Sequence, residues 1–304
     1  MTFEGYTHKP IAGIAPQWIL PKGYALVLEG GGTRGFYTAG VFEAFMDAGI
    51  LFSYITAVSA SSANALPYIA GQRGRNRQIV EFYVADKRYV GIRNLILHRS
   101  LFNTEFIFHE IPQKHIFIDW DMFNQQDIVF LTGAMDCLTG KTVWFEKQDV
   151  TPQLEVTIAS CAIPLLSPIV RHAGYNLLDG GITDPIPIEK SIEDGNTFHV
   201  VVLTRNEGYR KSEFGNRLLL KLLYSRYPRV IEAMSKQHEA YNRQLELCEQ
   251  LEREGRARII RPLEPLQVDR SGSDTAKLLA LYDEGHREGV EAAEFLKQVV
   301  SGVG

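Results

Sequence analysis

Three places along this chain could together perform acyl transfer: a glycine run at residues 30–35, a serine at Ser59 and an aspartate at Asp179. The run Glu29-Gly30-Gly31-Gly32-Thr33-Arg34-Gly35 follows an apolar stretch and precedes a helix-like one. That order reads as strand, backbone-exposing turn and helix. Glycine has no Cβ, so a ligand atom can come close to the N–H groups of Gly31 and Gly32, and the following helix aims its positive end at the same place. Such a loop holds negative charge, either a bound phosphate or an oxyanion formed during a reaction. Gly30-x-Gly32-x-x-Gly35 has the spacing of a dinucleotide fingerprint, but that fingerprint wants an acidic residue closing the second strand about 20 residues on. The second strand here ends in Ala57-Val58-Ser59. Thr33-Arg34-Gly35 also lacks the Lys-Ser/Thr of a phosphate loop. An oxyanion loop needs a nucleophile nearby, and Ser59 stands where the second strand should turn into its helix.

A serine hydroxyl is a poor nucleophile until a base takes its proton, and the oxyanion it creates needs fixed donors. Asp179-Gly180-Gly181 is the candidate base: a strand-like run precedes it, and two glycines leave the carboxylate on a turn open to approach. The plain alternative is a turn aspartate, since Asp-Gly is a common turn pair. His172 is a weaker candidate for a third member, having no motif around it. Ser61 and Ser62 are rival nucleophiles that miss the strand end in this register.

The 304 residues suit one large α/β domain or a domain with an appendage. A formal net charge of −4 argues against a general nucleic-acid binder. Cys137, Cys161 and Cys248 are far apart and lack metal-ligand spacing, so neither disulfides nor zinc are expected, and no cofactor is implied. The N-terminus has no basic region followed by an apolar run, and no apolar stretch approaches the roughly 20 residues of a membrane span. The expected location is cytoplasmic, with peripheral membrane contact as an option.

The elements that must position these residues follow from periodicity. Residues 1–23 read as an extended leader carrying Pro10, Pro16 and Pro21. A buried parallel strand at residues 24–28, a helix over 34–48 and a strand over 51–58 form a βαβ unit. The small residues 59–65 let the next helix sit tightly against its strand, and Pro67 should shorten it. Residues 73–77 read as a basic solvated surface in preference to a binding patch, 79–90 as a helix, and 91–115 as either a substrate-facing segment or ordinary packing. A strand over 127–134 returns antiparallel over 142–146. A helix is expected over 151–160, with Pro152 at its first position, then strands over 175–178 and 197–203. Residues 212–255 are charged and helical. There Leu218, Leu219, Leu222 and Leu223 share a face beside Arg217, Lys221, Arg226 and Arg229, a stripe that packs on the core or lies on an anionic membrane. A strand over 258–261 precedes two helices, 275–285 with Ser273 or Asp274 as its cap, and 287–300.

The glycine run, the strand–Ser59–helix segment, Ala159-Ser160-Cys161-Ala162-Ile163-Pro164 and Asp179-Gly180-Gly181 resemble patatin-like phospholipases over residues 24–203. The region beyond Gly208 resembles the C-terminal extension of a bacterial branch of that family. The resemblance implies a three-layer α/β/α sandwich with a mainly parallel central sheet, a catalytic domain over 24–205 and a mainly helical extension over 206–304. It also implies acyl hydrolysis of a phospholipid, lysophospholipid or other acyl ester by a Ser–Asp dyad without histidine. Carried over, Ser59 is the nucleophile, Asp179 the general base, and Gly31 and Gly32 the oxyanion hole. Gly30 then shapes the loop, Arg34 adds positive charge, and Gly35, Gly180 and Gly181 support the turns. The family usually has Gly-x-Ser-x-Gly at the elbow, where this chain has Ala57-Val58-Ser59-Ala60-Ser61. Loss of those glycines leaves a second reading, a weak or inactive lipid- or partner-binding protein on the same fold.

Overall fold

The computed structural model describes residues 11–98, 100–265, 274–300 and 302, so residues 1–10 of the leader and Ser273 lie outside it. From residue 11 the leader runs extended and includes a two-residue strand, β1 (Trp18–Ile19). Next come β2 (Tyr24–Leu28), the glycine turn, α1 (Gly35–Asp47), β3 (Ile50–Leu51), β4 (Tyr54–Val58), α2 (Ala60–Ile69), α3 (Arg75–Phe82) and α4 (Ile92–His98). A π-helical stretch, Phe106–His115, leads to α5 (Trp120–Gln125), β5 (Val129–Asp136), β6 (Thr142–Phe145) and α6 (Glu155–Ser160). The hairpin β7 (Val170–His172) and β8 (Tyr175–Asp179) follows, then α7 (Ile188–Glu193) and β9 (Phe198–Val202). The C-terminal region supplies α8 (Arg217–Leu223), α9 (Pro228–Arg253), β10 (Ala257–Ile260) and α10 (Thr275–Val300).

The central sheet has the order β10-β9-β2-β4-β5-β8-β7, and β6 also pairs with β5. The strands from β10 to β5 are parallel, and the pairs made by β6, β7 and β8 are antiparallel. Alternate residues of β2 enter different cores, as the two-residue period of a strand requires. Leu26 and Leu28 pack with α1, α2 and α10, while Ala25 and Val27 pack with α7 and α9. The molecule is therefore an α/β/α sandwich, and β10 places part of the C-terminal region in the same sheet. Among the described residues no helix is long and apolar enough to cross a membrane.

The register around β5 decides where the ends of two strands meet. Thr132 and Gly133 pair with both β4 and β6, while Ala134 and Met135 pair with both β6 and β8. A strand has two edges, so β6 holds one and β4 and β8 share the other. They approach from opposite ends: Val58 lies opposite Gly133 and Asp179 opposite Ala134. The C-terminal ends of β4 and β8 thus converge, and residues 59 and 179 must face one another.

Four sequence expectations are corrected. The helix expected over 79–90 is α3, eight residues from Arg75, and residues 73–77 are not a uniformly solvated face. Arg75 is buried, and its guanidinium donates to the carbonyls of Ile116 and Phe117, while Arg73 pairs with Glu43 and Asp47, and Arg77 with Glu81 and Asp283. The helix expected from Thr151 starts at Glu155, because Leu154 takes a left-handed conformation and bonds its N–H to the Thr151 carbonyl. The two final helices are one, α10, with Asp274 accepting from the Lys277 N–H near its start. Gly285 does not end it, because it lies against α1. A Cβ there would fall on the Tyr37 carbonyl oxygen, and one on the facing Gly40 would fall on that of Tyr282.

Candidate active site

Ser59 joins β4 to α2 with φ 58° and ψ −141°, a conformation that costs a non-glycine residue about 1–3 kcal/mol. Its neighbours over-determine it. The Ser59 N–H donates to Ser160 Oγ at 2.8 Å, and the Ser160 hydroxyl donates to the Gly133 carbonyl at 2.7 Å. Ala57 and Ser61 stand where elbow glycines were expected, and neither has a positive φ, so no left-handed strain falls on them. The Ser61 hydroxyl donates to the Glu29 carbonyl at 2.6 Å, tying α2 to the start of the glycine loop. Ser62 pairs with Thr132 at 3.0 Å. Both side chains are fully buried fasteners rather than exposed nucleophiles.

Asp179 is buried at the end of β8. Its Oδ2 accepts the Ser59 hydroxyl at 2.6 Å, and its Oδ1 accepts the Gly181 N–H at 2.7 Å. Burial pushes its carboxyl up to about 6, against the opposing pull of the Ser59 and Gly181 hydrogen bonds and the charge of Lys211. A carboxylate in that range is still ionised at neutral pH yet a far better base than an exposed one. The turn after it rests on α9. The Gln237 amide donates to the Gly181 carbonyl at 2.6 Å. Gln244 donates to Asp184 Oδ1 at 2.6 Å and accepts the Ile186 N–H at 3.0 Å. Burial also raises Asp184, to about 7.

The glycine loop lies against the same serine. Gly30 donates its N–H to the Pro185 carbonyl at 3.3 Å, whereas the N–H groups of Gly31 and Gly32 have no backbone acceptor outside the loop's own short helix. Gly32 has φ +55°, and a Cβ on Gly30 would stand 3.0 Å from Ser59 Cβ, so both positions call for glycine. Asn64 of α2 holds the Gly35 carbonyl at 2.9 Å. Gly180 and Gly181 form the first turn of a short 3₁₀ helix capped by Asp179. Arg34 is half-buried beside Glu29 and Arg205, outside the cavity wall; burial and the Arg205 charge lower its pKa and Glu29 opposes them. Glu29 is itself buried, raised by that burial, and accepts the Thr204 N–H at 2.6 Å.

A cavity of about 430 Å³ opens from Gly32, Ser59 and Ala60. Its walls include Phe36, Leu66, Ile79, Phe108, Leu154 and Ile158. The segment 91–115, left open between a substrate-facing role and ordinary packing, supplies a large part of the wall through Phe102, Ile107, Phe108 and Ile111. His172 sits on β7, its ring against Phe145 and 3.2 Å from Glu155. The arrangement offers a hydroxyl bonded to a buried carboxylate, a glycine loop packed against the same serine, and a largely apolar cavity opening from it: a setting in which attack on an ester carbonyl is chemically reasonable.

Three contributors escaped the sequence reading. Ser160 lay inside a noted motif, but nothing local says its hydroxyl reaches Ser59. Gln237 and Gln244 are seven residues apart on one helix face, a spacing that marks a shared face and no partner.

Residues 26–191 match the family described as patatin-like phospholipase, and residues 227–301 match a domain of unknown function, DUF6363. Among curated proteins, the uncharacterized protein YjjU of Escherichia coli (strain K12) is 28% identical over 208 residues, covering 64% of this chain and 55% of its own. The uncharacterized NTE family protein Rv1063c of Mycobacterium tuberculosis (strain ATCC 25618 / H37Rv) is 28% identical over 167 residues, covering 54% of this chain and 44% of its own. This chain therefore spans about half the length of the curated relatives it matches. Among solved structures, VipD from Legionella pneumophila aligns over 97% of this chain and 72% of its own, at 13% identity and a TM-score of 0.43. With its glycine loop, Ser59 and Asp179 all inside a match that takes in more than half of its length, the chain belongs to the patatin-like phospholipase family.

Proposed function

We propose that this protein is a serine acyl-ester hydrolase of the phospholipase A or lysophospholipase type, with Ser59 as nucleophile and Asp179 as general base. The observation that carries the reading is the 2.6 Å bond from Ser59 Oγ to the buried Asp179 Oδ2 at the head of an apolar cavity. As Ser59 attacks the ester carbonyl, its proton passes to Asp179, and the oxygen that gains the negative charge meets the N–H groups of Gly31 and Gly32. Protonated Asp179 then gives its proton to the leaving alcohol. The same carboxylate activates water to release the fatty acid. Each oxyanion donor is worth about 10²–10³ in rate. The base needs no imidazole, because burial has already raised its affinity for a proton. An apolar slot of this size suits a single fatty acyl chain, with the polar remainder of the lipid outside.

The competing reading, a non-catalytic binding protein, rested on Ala57 and Ser61 in place of elbow glycines. The Ser61 bond to the Glu29 carbonyl and the ordinary backbone at both positions favour a competent elbow. The test is intact-mass detection of a fluorophosphonate adduct, with peptide mapping, in the wild type, Ser59→Ala and Asp179→Asn. An adduct on Ser59 that is absent from Ser59→Ala and much slowed in Asp179→Asn is expected. A folded wild type that forms no adduct would return the protein to the binding reading.

A further inference from the structure

Two short helices carry apolar side chains that no described residue covers, and a residue just after one and at the end of the other each bond the same loop in the cavity wall. On α4, Ile96 and Leu97 are 76% and 60% exposed; on α8, Leu218 and Leu222 are 81% and 75% exposed. α4 belongs to an excursion closed at its base, where Val90 bridges to Phe102 and the Gly91 N–H donates to the Leu101 carbonyl at 3.0 Å. Tyr89 and Phe102, at the two ends of that excursion, line the cavity. α8 is anchored by its buried Leu220 and by Tyr224, which pack with Ala162 and Leu165.

The loop between them is residues 161–170. The Leu101 N–H donates to the Leu166 carbonyl at 2.7 Å from the α4 side. The Leu165 N–H donates to the Tyr224 hydroxyl at 3.0 Å from the α8 side. Cys161, Ile163, Ser167 and Pro168 of the loop line the cavity. The exposed leucines therefore flank the cavity wall on both sides of one loop.

We infer that α4 and α8 form a docking surface for an anionic lipid bilayer, placed so that a lipid acyl chain reaches the cavity beside the 161–170 loop. This rests on the acyl-hydrolase reading for what enters the cavity, while the binding surface stands on its own observations. Charge selects the occupant. The stretches 92–99 and 217–229 carry basic residues and no acidic one, in a chain of net charge −4. Arg93, Lys221 and Arg226 are exposed, Arg229 is exposed but pairs with Glu232, and the Arg217 side chain lies outside the described residues. Exposed leucines among cations fit the boundary between acyl chains and anionic headgroups. A second copy of the chain fits less well, because a two-fold contact would set this basic patch against itself.

The experiment is sedimentation with vesicles of phosphatidylcholine containing about a third phosphatidylglycerol, beside hydrolysis of a short, water-soluble ester. The wild type is expected to bind, and Leu218→Glu/Leu222→Glu and Ile96→Glu/Leu97→Glu each to weaken binding about tenfold or more. Lys221→Glu/Arg226→Glu is expected to weaken binding to the anionic vesicles, as added salt should. All three pairs should keep the short-ester rate, since none lines the cavity or touches Ser59. Vesicle binding absent from the wild type, or equal in wild type and variants, overturns the inference. So does a concentration-dependent dimer that the leucine variants break without altering vesicle binding. A wild type that binds vesicles but hydrolyses no ester removes the proposed activity and leaves the docking surface standing.

Discussion

Helices α9 and α10 are both 26 residues long and cover opposite faces of one sheet, yet they are fastened by different chemistry. α10 lies on α1 through glycine-permitted backbone contact: Gly285 meets Tyr37, Gly40 meets Tyr282, and Gly289 meets Val41 and Ala44. Its buried face is leucine, alanine and glycine apart from Tyr282, whose hydroxyl donates to Glu43 of α1 at 2.9 Å. α9 buries Tyr241, Leu245, Cys248 and Leu251 against the other face, but it also buries Gln244 and brings Gln237 onto the turn after Asp179. A buried glutamine in a packing face costs stability unless its bonds are made. The difference teaches that α10 holds the sandwich together, whereas α9 both covers the sheet and fixes the carboxylate that faces Ser59. Activity and stability should therefore separate between the two helices.

The largest expected effect sharpens that separation at the turn α9 supports. Asp179→Asn should lower kcat by about 10²–10⁴, the usual contribution of a general base. It should also stabilise the fold. The folded carboxyl is raised to about 6 from an ordinary value of 3.8, so the native state holds this proton more tightly than the unfolded chain. The associated stability is fully present below the unfolded value and is lost as pH rises through the folded one. Asparagine mimics the protonated side chain at every pH. The variant's advantage in urea melts should be absent at about pH 3 and approach, as an order of magnitude, 3 kcal/mol above about pH 7. The same ionisation should make wild-type kcat/KM fall on the acid side with a midpoint near 6. An unstabilised Asp179→Asn at high pH would mean that Asp179 is not held in its ionised form against a desolvation cost.

The next effect probes α10. Gly285→Val would drive its Cβ into the Tyr37 carbonyl and force α10 off α1. Overpacking of this kind should cost about 3 kcal/mol, read as a lower Tm, while active-site titration shows that molecules still folded keep their kcat. A kcat that fell in proportion to stability would break the comparison, since α10 would then be positioning the site as well.

The parts of this design that were legible in the sequence are those whose signal is local. β2, β4 and β9 announce themselves as short apolar runs, and the glycine loop as a turn that only glycine tolerates. Ser59 and Asp179 were readable because each sits at the junction of a strand with small residues. Their meeting was not, because it depends on β4 and β8 sharing one edge of β5, a pairing 120 residues apart for the two side chains. Gly285 read as a helix end because its real reason, the backbone of α1, is remote. Arg75 read as surface because its acceptors, the carbonyls of Ile116 and Phe117, are placed by tertiary structure. Val170–His172 was missed as a strand because three residues carry too little pattern, with the tight turn at Ala173 and Gly174 shaped by backbone alone.

The smallest effect tests α9 itself. Gln244→Leu fills nearly the same space but removes the donor to Asp184 and the acceptor for the Ile186 N–H. Asp184 would lose a bond that holds its pKa down and become easier still to protonate. The Pro185 carbonyl, which accepts the Gly30 N–H, lies between those two contacts. A shift there moves the glycine loop and the Asp179 turn relative to Ser59. The expected result is about a tenfold loss of kcat with KM unchanged, because a displacement of about 1 Å at reacting groups can cost up to 10²-fold. Gln237→Leu should act in the same direction and less, since it supports a single carbonyl. If Gln244→Leu lowered Tm and left kcat intact, α9 would be a cover like α10. The extension would then add stability to the site without helping to aim it.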